Sequence, residues 1–337
     1  MNGFDEIYDI RFARYDEIDE IMAFIKEHWK KDHILGNNRE FFEYEHVIDN
    51  RVNFIIAKKW DTSKIEGILG YIPASKDKSK LDVWGVMWKV CTGATPMLGI
   101  ELKRRLKKYT EARNDLGVGA NPNTSVPILK MVFRYKVKKM KHYYRLSNKD
   151  EYLIAQVTHK NIVNYQIDNT TKIIEYKSIA EVENTYDFTM NENDIPFKDS
   201  WYINHRYFEH PIYQYHVCGV YGENKVEALL VYRKQEYKQA VAIRVVDYVG
   251  NHKCFSGLGV FFGELLKTAE YIDFYCGGFE DSYVIQAGFC ERTDEDSNII
   301  PDHFSPFENR NIDIFVNSPY DNCLFFKADG DQDRPSE

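Results

Sequence analysis

Just after Val90 the chain reads Thr92-Gly93-Ala94-Thr95-Pro96-Met97-Leu98-Gly99, and apolar residues then recur at Leu98, Leu102 and Leu106. Two glycines allow close backbone approach, and Pro96 lacks an N–H that the first turn of a helix does not need. A turn of backbone N–H groups opening a helix holds a phosphate or diphosphate, helped by the helix dipole. An ordinary crossover joint has the same pattern. Val90, Gly93, Ala94, Thr95, Met97, Leu98 and Gly99 are the candidate contacts to such an anion. The basic run Lys103-Arg104-Arg105 with Lys107-Lys108 either adds to its pull or forms a solvated helix face.

The C-terminal half carries polar residues mixed with aromatics: His205-Arg206-Tyr207, Glu209-His210-Pro211, Arg244 with Asp247, Asp273 with Tyr275, and Ile300-Pro301-Asp302-His303-Phe304. Such mixtures suit a hydroxylated ligand, with His205, Arg206, Arg244, Asp273 and Tyr275 as contacts. Asp247 and His303 are the candidate proton acceptors; a strand-end salt bridge to Arg244 and a turn cap are their plain structural alternatives. Trp84 and Trp88 stand four apart on a strand, so they should share a face and line either a cleft or the core. The tail from Phe326 to Pro335 reads as a frayed terminus, or as a segment whose Lys327 and Arg334 bind sugar hydroxyls or a diphosphate.

The elements that must position these groups follow from periodicity. Ile7 to Arg14 reads as a strand, Ile18, Ile21, Met22 and Ile25 as a helical face, and Asn37 or Asn38 as the cap of a second helix. Strands are expected at Val52 to Ala57, Ile65 to Ile72 and Leu81 to Val90, then the turn and a helix over Met97 to Tyr109. A strand at Leu116 to Ala120, a short helix, and strands around Met140 to Leu146 and Tyr152 to Val157 complete the first half. A polar connector spans residues 158–200. The second half repeats the order more loosely, with strands near Tyr213 to Tyr221, Glu227 to Arg233, Ala240 to Tyr248 and Tyr271 to Tyr275. The stretch from Lys89 to Leu106 parallels that from Val246 to Leu266.

This order, with Ile68-Leu69-Gly70-Tyr71-Ile72 on the third strand, Gly117 to Asn121 on a splayed strand, and a helix from Asn121 to Phe133, resembles the GCN5-related N-acetyltransferase (GNAT) family. The resemblance implies an α/β (α+β) fold of two tandem GNAT-like domains, each a mixed, mostly antiparallel sheet flanked by helices. Residues 1–157 would bind coenzyme A, residues 158–200 would lead into the second domain, and residues 201–337 would bind the acceptor. It implies acetyl-CoA or another acyl-CoA as co-substrate, held by the turn residues together with Asn121 and Asn123. The turn departs from the family's signature, and Ile128 stands where many members carry a tyrosine acid. The expected reaction is N-acylation of a nucleotide-linked amino sugar, as in tandem GNAT-like proteins of bacterial surface-polysaccharide (lipopolysaccharide O-antigen or capsule) assembly. Another small amine, a sugar hydroxyl, or non-catalytic nucleotide or glycan binding are the alternatives.

Composition bounds these readings. Net charge is −8 with 15% aromatic residues, which argues for a globular chain and against a general nucleic-acid binder. No apolar run approaches the roughly 20 residues that span a bilayer, so a cytoplasmic protein is expected. Six scattered cysteines show no metal spacing, so no metal is expected. Edge strands leave room for a homodimer.

Overall fold

The computed structural model describes residues 3–160, 165 and 171–336. Its principal elements are β1 (Tyr8–Phe12), α1 (Ile18–His28), α2 (Arg39–His46), β2 (Phe54–Lys59), β3 (Ile65–Pro73), β4 (Asp82–Val90), α3 (Leu98–Thr110), β5 (Asn114–Val118), α4 (Ser125–Met131) and β6 (Lys136–Lys139). They continue with β7 (Lys141–Leu146), β8 (Ile173–Tyr176), β9 (Tyr215–Tyr221), β10 (Val226–Tyr237), β11 (Ala240–Gly250), α5 (Gly259–Leu265), β12 (Tyr271–Gly277), α6 (Asp281–Gln286), β13 (Cys290–Glu291), β14 (Phe315–Ser318) and β15 (Phe325–Phe326).

The fold is mixed α/β, two mostly antiparallel sheets flanked by helices. Contacts divide it into a first unit, Met1–Val137 with Asn317–Tyr320 and Gly330–Glu337, and a second, Lys138–Val316 with Asp321–Asp329. The contact boundary thus falls at Val137–Lys138, and two C-terminal pieces, Asn317–Tyr320 and Gly330–Glu337, belong with the first unit.

The first sheet has the strand order β1-β2-β3-β4-β5-β14-β6. Strands β1 to β4 are antiparallel neighbours, and β4 and β5 run parallel, with Asp82 opposite Asn114 and Trp84 opposite Leu116. The central strand β3 is buried along nearly its whole length, as Ile65, Gly67 and Ile68 to Pro73 require. Helix α3 lays Leu98, Leu102 and Leu106 against Tyr8, Ile10, Ile55, Leu69 and Val83, the stripe its sequence spacing predicts. Asn38 caps α2, accepting the Phe41 N–H at 2.9 Å.

The second sheet has the order β8-β9-β10-β11-β12-β7-β13, and it too contains a parallel pair, β11 and β12, joined through a helix. The duplicated plan expected between Lys89–Leu106 and Val246–Leu266 is thus present as two parallel pairs. The strand expected at Tyr152 to Val157 does not form. Only Gln156 bridges, to Ile299. The Glu270 carboxylate takes the N–H groups of Leu153 at 2.6 Å and Ile154 at 2.9 Å, so those donors are unavailable to a ladder.

Candidate functional site

The site in the first unit begins with a bulge. Ile68 pairs with Lys89 and Gly70 with Val86, so Leu69 faces both Met87 and Trp88, and Met87 takes a left-handed backbone at φ 51°. The extra residue reverses the alternation of β4. Val83 and Gly85 face α3 before it, Trp88 and Val90 after it. Trp84 and Trp88 therefore lie on opposite faces, against the expectation from their spacing. Trp84 is fully buried, and Trp88 donates from Nε1 to the Gly99 carbonyl at 2.8 Å.

Past the bulge β4 and β5 diverge around a cleft of about 250 Å³. Gly85 to Trp88 line it from β4, Gly117 to Asn121 from β5 and its exit, Ser125 and Leu129 from α4, and Trp29, Lys103, Asn317 and Asp331 complete it. Lys103 is bound to Asp115 at 2.7 Å with both groups buried. Burial raises the Asp115 carboxyl, partly opposed by Lys103. Asn121 turns its Oδ1 to the N–H groups of Asn123 at 2.9 Å and Thr124 at 3.2 Å, which shapes the loop into α4; Asn123 is exposed.

Asn317 is 4% exposed, and its Oδ1 is buried without a hydrogen-bond partner among the described residues. An unsatisfied buried acceptor on a cleft wall asks for a donor. Gly117 makes room for this side chain: a Cβ there would lie 2.4 Å from Asn317 Nδ2.

The turn before α3 fits an anion less openly than its sequence suggests. Leu98 N–H donates to the Thr95 carbonyl at 3.1 Å, Ala94 N–H to Cys91 at 3.3 Å, and Thr95 N–H to the Tyr8 hydroxyl at 3.1 Å. Gly99 is small because a Cβ would lie 3.3 Å from the Trp88 indole nitrogen. Gly93, at φ 88° with open space around it, and Met97, at φ 71° and 56% exposed, stay at the mouth of the thirteen-residue α3. Val90 packs beside Gly67, and Leu98 is core. Burial pushes the Cys91 thiol up, the wrong direction for a nucleophile.

The tail is not frayed. Arg334 grips Glu45 of α2 with Nε at 3.2 Å and Nη2 at 2.5 Å, and its Nη1 lies 3.1 Å from Asp331 Oδ2. Burial alone would raise the Glu45 carboxyl; Arg334 and His46 outweigh it and hold that group well below the usual range. Burial, with Arg334 nearby, brings His33 down to about 4.

In the second unit Arg244 is fully buried, its guanidinium on Asp273 at 2.8 and 3.2 Å and on the Asp302 carbonyl and carboxylate. Lys327 joins Asp302 at 2.7 Å, and Tyr275 stacks on His142 at 3.9 Å. The structure thus gathers Arg244, Asp273, Tyr275 and Lys327. Asp247 is elsewhere, held by Lys198 at 2.6 Å and by the Tyr207 hydroxyl. Arg206 donates to the Ala328 carbonyl at 3.3 Å, His205 stacks on Trp201, and His303 lies half-buried beside Asp302. None of these lines the cleft of the first unit.

Where β11 and β12 part, the chain fills the opening itself. Phe325 and Phe326 pair with Gly277 and Cys276, and Ala328 N–H donates to the Val246 carbonyl at 2.8 Å. Lys198 then bridges Asp247 and Asp329.

Among solved structures the chain is similar to a GCN5-related N-acetyltransferase from Anabaena variabilis, with 7% identity, TM-score 0.56, and 92% of this chain aligned to 72% of that one. It is also similar to a "probable N-acyltransferase" of unknown function from Enterococcus faecalis, with 9% identity, TM-score 0.55, and 92% of this chain against 71% of that one. At such identity the likeness speaks to fold: the chain has the GNAT fold in both of its units. No family profile and no curated protein matches the sequence.

No helix among the described residues is long and apolar enough to cross a membrane, and no cluster of three metal-ligating side chains occurs among them.

Proposed function

We propose that the protein is an acyl-CoA-dependent N-acyltransferase whose donor site is the cleft between β4 and β5. The observation that carries this reading is the splayed parallel pair with a bulge in β4, walled by a buried acceptor, Asn317 Oδ1, that lacks a donor among the described residues. Asn317 would meet a pantetheine amide, and Gly93 and Met97 at the mouth of α3 would meet the diphosphate. Backbone left unpaired by the bulge would polarise the thioester carbonyl. The thioester supplies an activated acyl group; the chain's residues orient it and manage the proton of the incoming amine.

The acceptor is a small amine, and its most specific form is the amine of a nucleotide-linked amino sugar in surface-polysaccharide assembly. Support for the sugar comes from the aromatic and charged clusters of the C-terminal half. Their charges are largely spent on one another, as Arg244 and Lys327 on Asp302 illustrate, so the amine is the firmer part of this reading. Purified protein given acetyl-CoA and longer acyl-CoAs with UDP-linked amino sugars, glucosamine or spermidine should release free thiol and an acylated amine detectable by mass. No thiol release and no binding of any CoA thioester would overturn the proposal.

A further inference from the structure

Within the first unit, the C-terminal segment crosses the cleft. A Cβ on Gly330 would lie 3.3 Å from Trp84 Cβ and 3.5 Å from Val86 Cγ1, on β4. Two residues on, Gln332 packs against the exit of β5, where a Cβ on Gly119 would lie 2.4 Å from its Oε1. Asp331, between them, lines the cleft beside the bulge. It is the only carboxylate among the cleft-lining residues, and Lys103, the only cationic one, is already paired with Asp115.

The neighbours of Asp331 hold it without consuming it. Arg334 touches Oδ2 at 3.1 Å, yet Arg334 is already neutralised through two contacts by Glu45. The Asp331 side chain keeps 21% exposure. Around it stand Arg334 on its own segment and Glu45 and His46 of α2, with Lys103 on the cleft wall. Burial raises the Asp331 carboxyl, and Glu45 adds to this, while Arg334 and His46 oppose them. A carboxylate kept above its usual range is a better base near neutrality.

We infer that Asp331, delivered by the C-terminal segment, is the catalytic residue that accepts the proton of the attacking amine; this rests on the acyl-transfer reading above. The amine nitrogen bonds to the thioester carbonyl carbon and its proton passes to the Asp331 carboxylate. The carbon–sulfur bond breaks with its electron pair on sulfur. The proton held by Asp331 then returns, directly or through water, to the departing thiolate. Amide and free CoA thiol leave, and Asp331 is again a carboxylate. One group thus serves both transfers, consistent with Ile128 standing where a tyrosine acid is common in the family.

The test compares wild type, D331N and D331E in thiol release from acetyl-CoA with glucosamine, spermidine and a UDP-linked amino sugar, alongside calorimetry with CoA. D331N should bind CoA within about threefold of wild type, lose about 100-fold or more in kcat, and lose the acidic limb of the pH profile. D331E, which keeps the carboxylate, should retain part of the rate and that limb, a rescue that a purely structural role does not give. If wild type turns over and D331N matches it in rate and pH profile, the assignment of Asp331 falls and acyl transfer stands. If wild type consumes no thioester with any acceptor, both fall.

Discussion

Arg334 and Glu45 show what a single buried pair does for the tail. Each is about 6% exposed, so each would be costly to leave alone. Glu45→Gln removes the charge but keeps the shape, and should cost about 3 kcal/mol at neutral pH, read by denaturant unfolding. The pH dependence has a definite sign. The folded carboxyl is held below its unfolded value, so its contribution is complete above roughly pH 4.5 and is lost as pH falls through the folded value. Asp302, held well below its range by Lys327 and Arg244 against the opposing pull of burial, behaves the same way. Wild type should therefore lose stability steeply in acid, and E45Q should show a flatter acid limb; parallel limbs would contradict the pairing. In the sequence Arg334 reads as part of a frayed terminus or as a sugar or diphosphate contact, because nothing local in an acidic, polar tail announces a partner at Glu45. Asp331 and Asn317 carry no local signal for the same reason: their importance lies in which strand they return to.

Elements were more legible than residues, since periodicity is local. The helices α1, α2 and α3, the strands β1 to β4 and the glycine-bearing turn fall within a few residues of where spacing puts them. Two features broke the local rule. The bulge at Met87 moved Trp88 to the face opposite Trp84, and a buried carboxylate, Glu270, took the backbone donors of a would-be strand. Strand β5 offers a test at this scale. Its neighbour β14 reaches it from two hundred residues away, and Gly117 is the point of closest approach, where a Cβ would meet Asn317 Nδ2 at 2.4 Å. Gly117→Ala should destabilise by about 1–3 kcal/mol through overpacking, and Asn317→Ala added to it should recover most of that loss. Both the single and the double variant should bind CoA more weakly, because each moves or removes the Oδ1 acceptor. A double variant no more stable than G117A, measured by thermal unfolding, would show that the contact is not the source of the cost.

At the scale of the whole molecule, the chain carries two parallel strand pairs of the GNAT kind, and the parting of one is open while that of the other is filled. In the first unit the parting of β4 and β5 is lined by glycines, Asn317 and Asp331. In the second, the parting of β11 and β12 is filled by Phe325–Asp329, bonded to both strands through Phe326 and Ala328. That filling is held by charge as well as by backbone. Lys327 sits on Asp302 and Asp329 on Lys198, all four of them buried, and burial pushes the Asp329 carboxyl up to about 6 despite Lys198. Pulling the segment out to admit a pantetheine arm would strand these partners, at about 3 to 5 kcal/mol for each broken pair. A cofactor binding at micromolar affinity gains only about 8 kcal/mol in total, so it does not displace the segment. Titration with CoA in a calorimeter should therefore saturate at one molecule per chain, and D331N should leave that stoichiometry unchanged. Asn317→Ala should weaken this single event, whereas Lys327→Met should lower the unfolding temperature without creating a second event. Two equivalent CoA sites per chain would contradict the filling of the second opening.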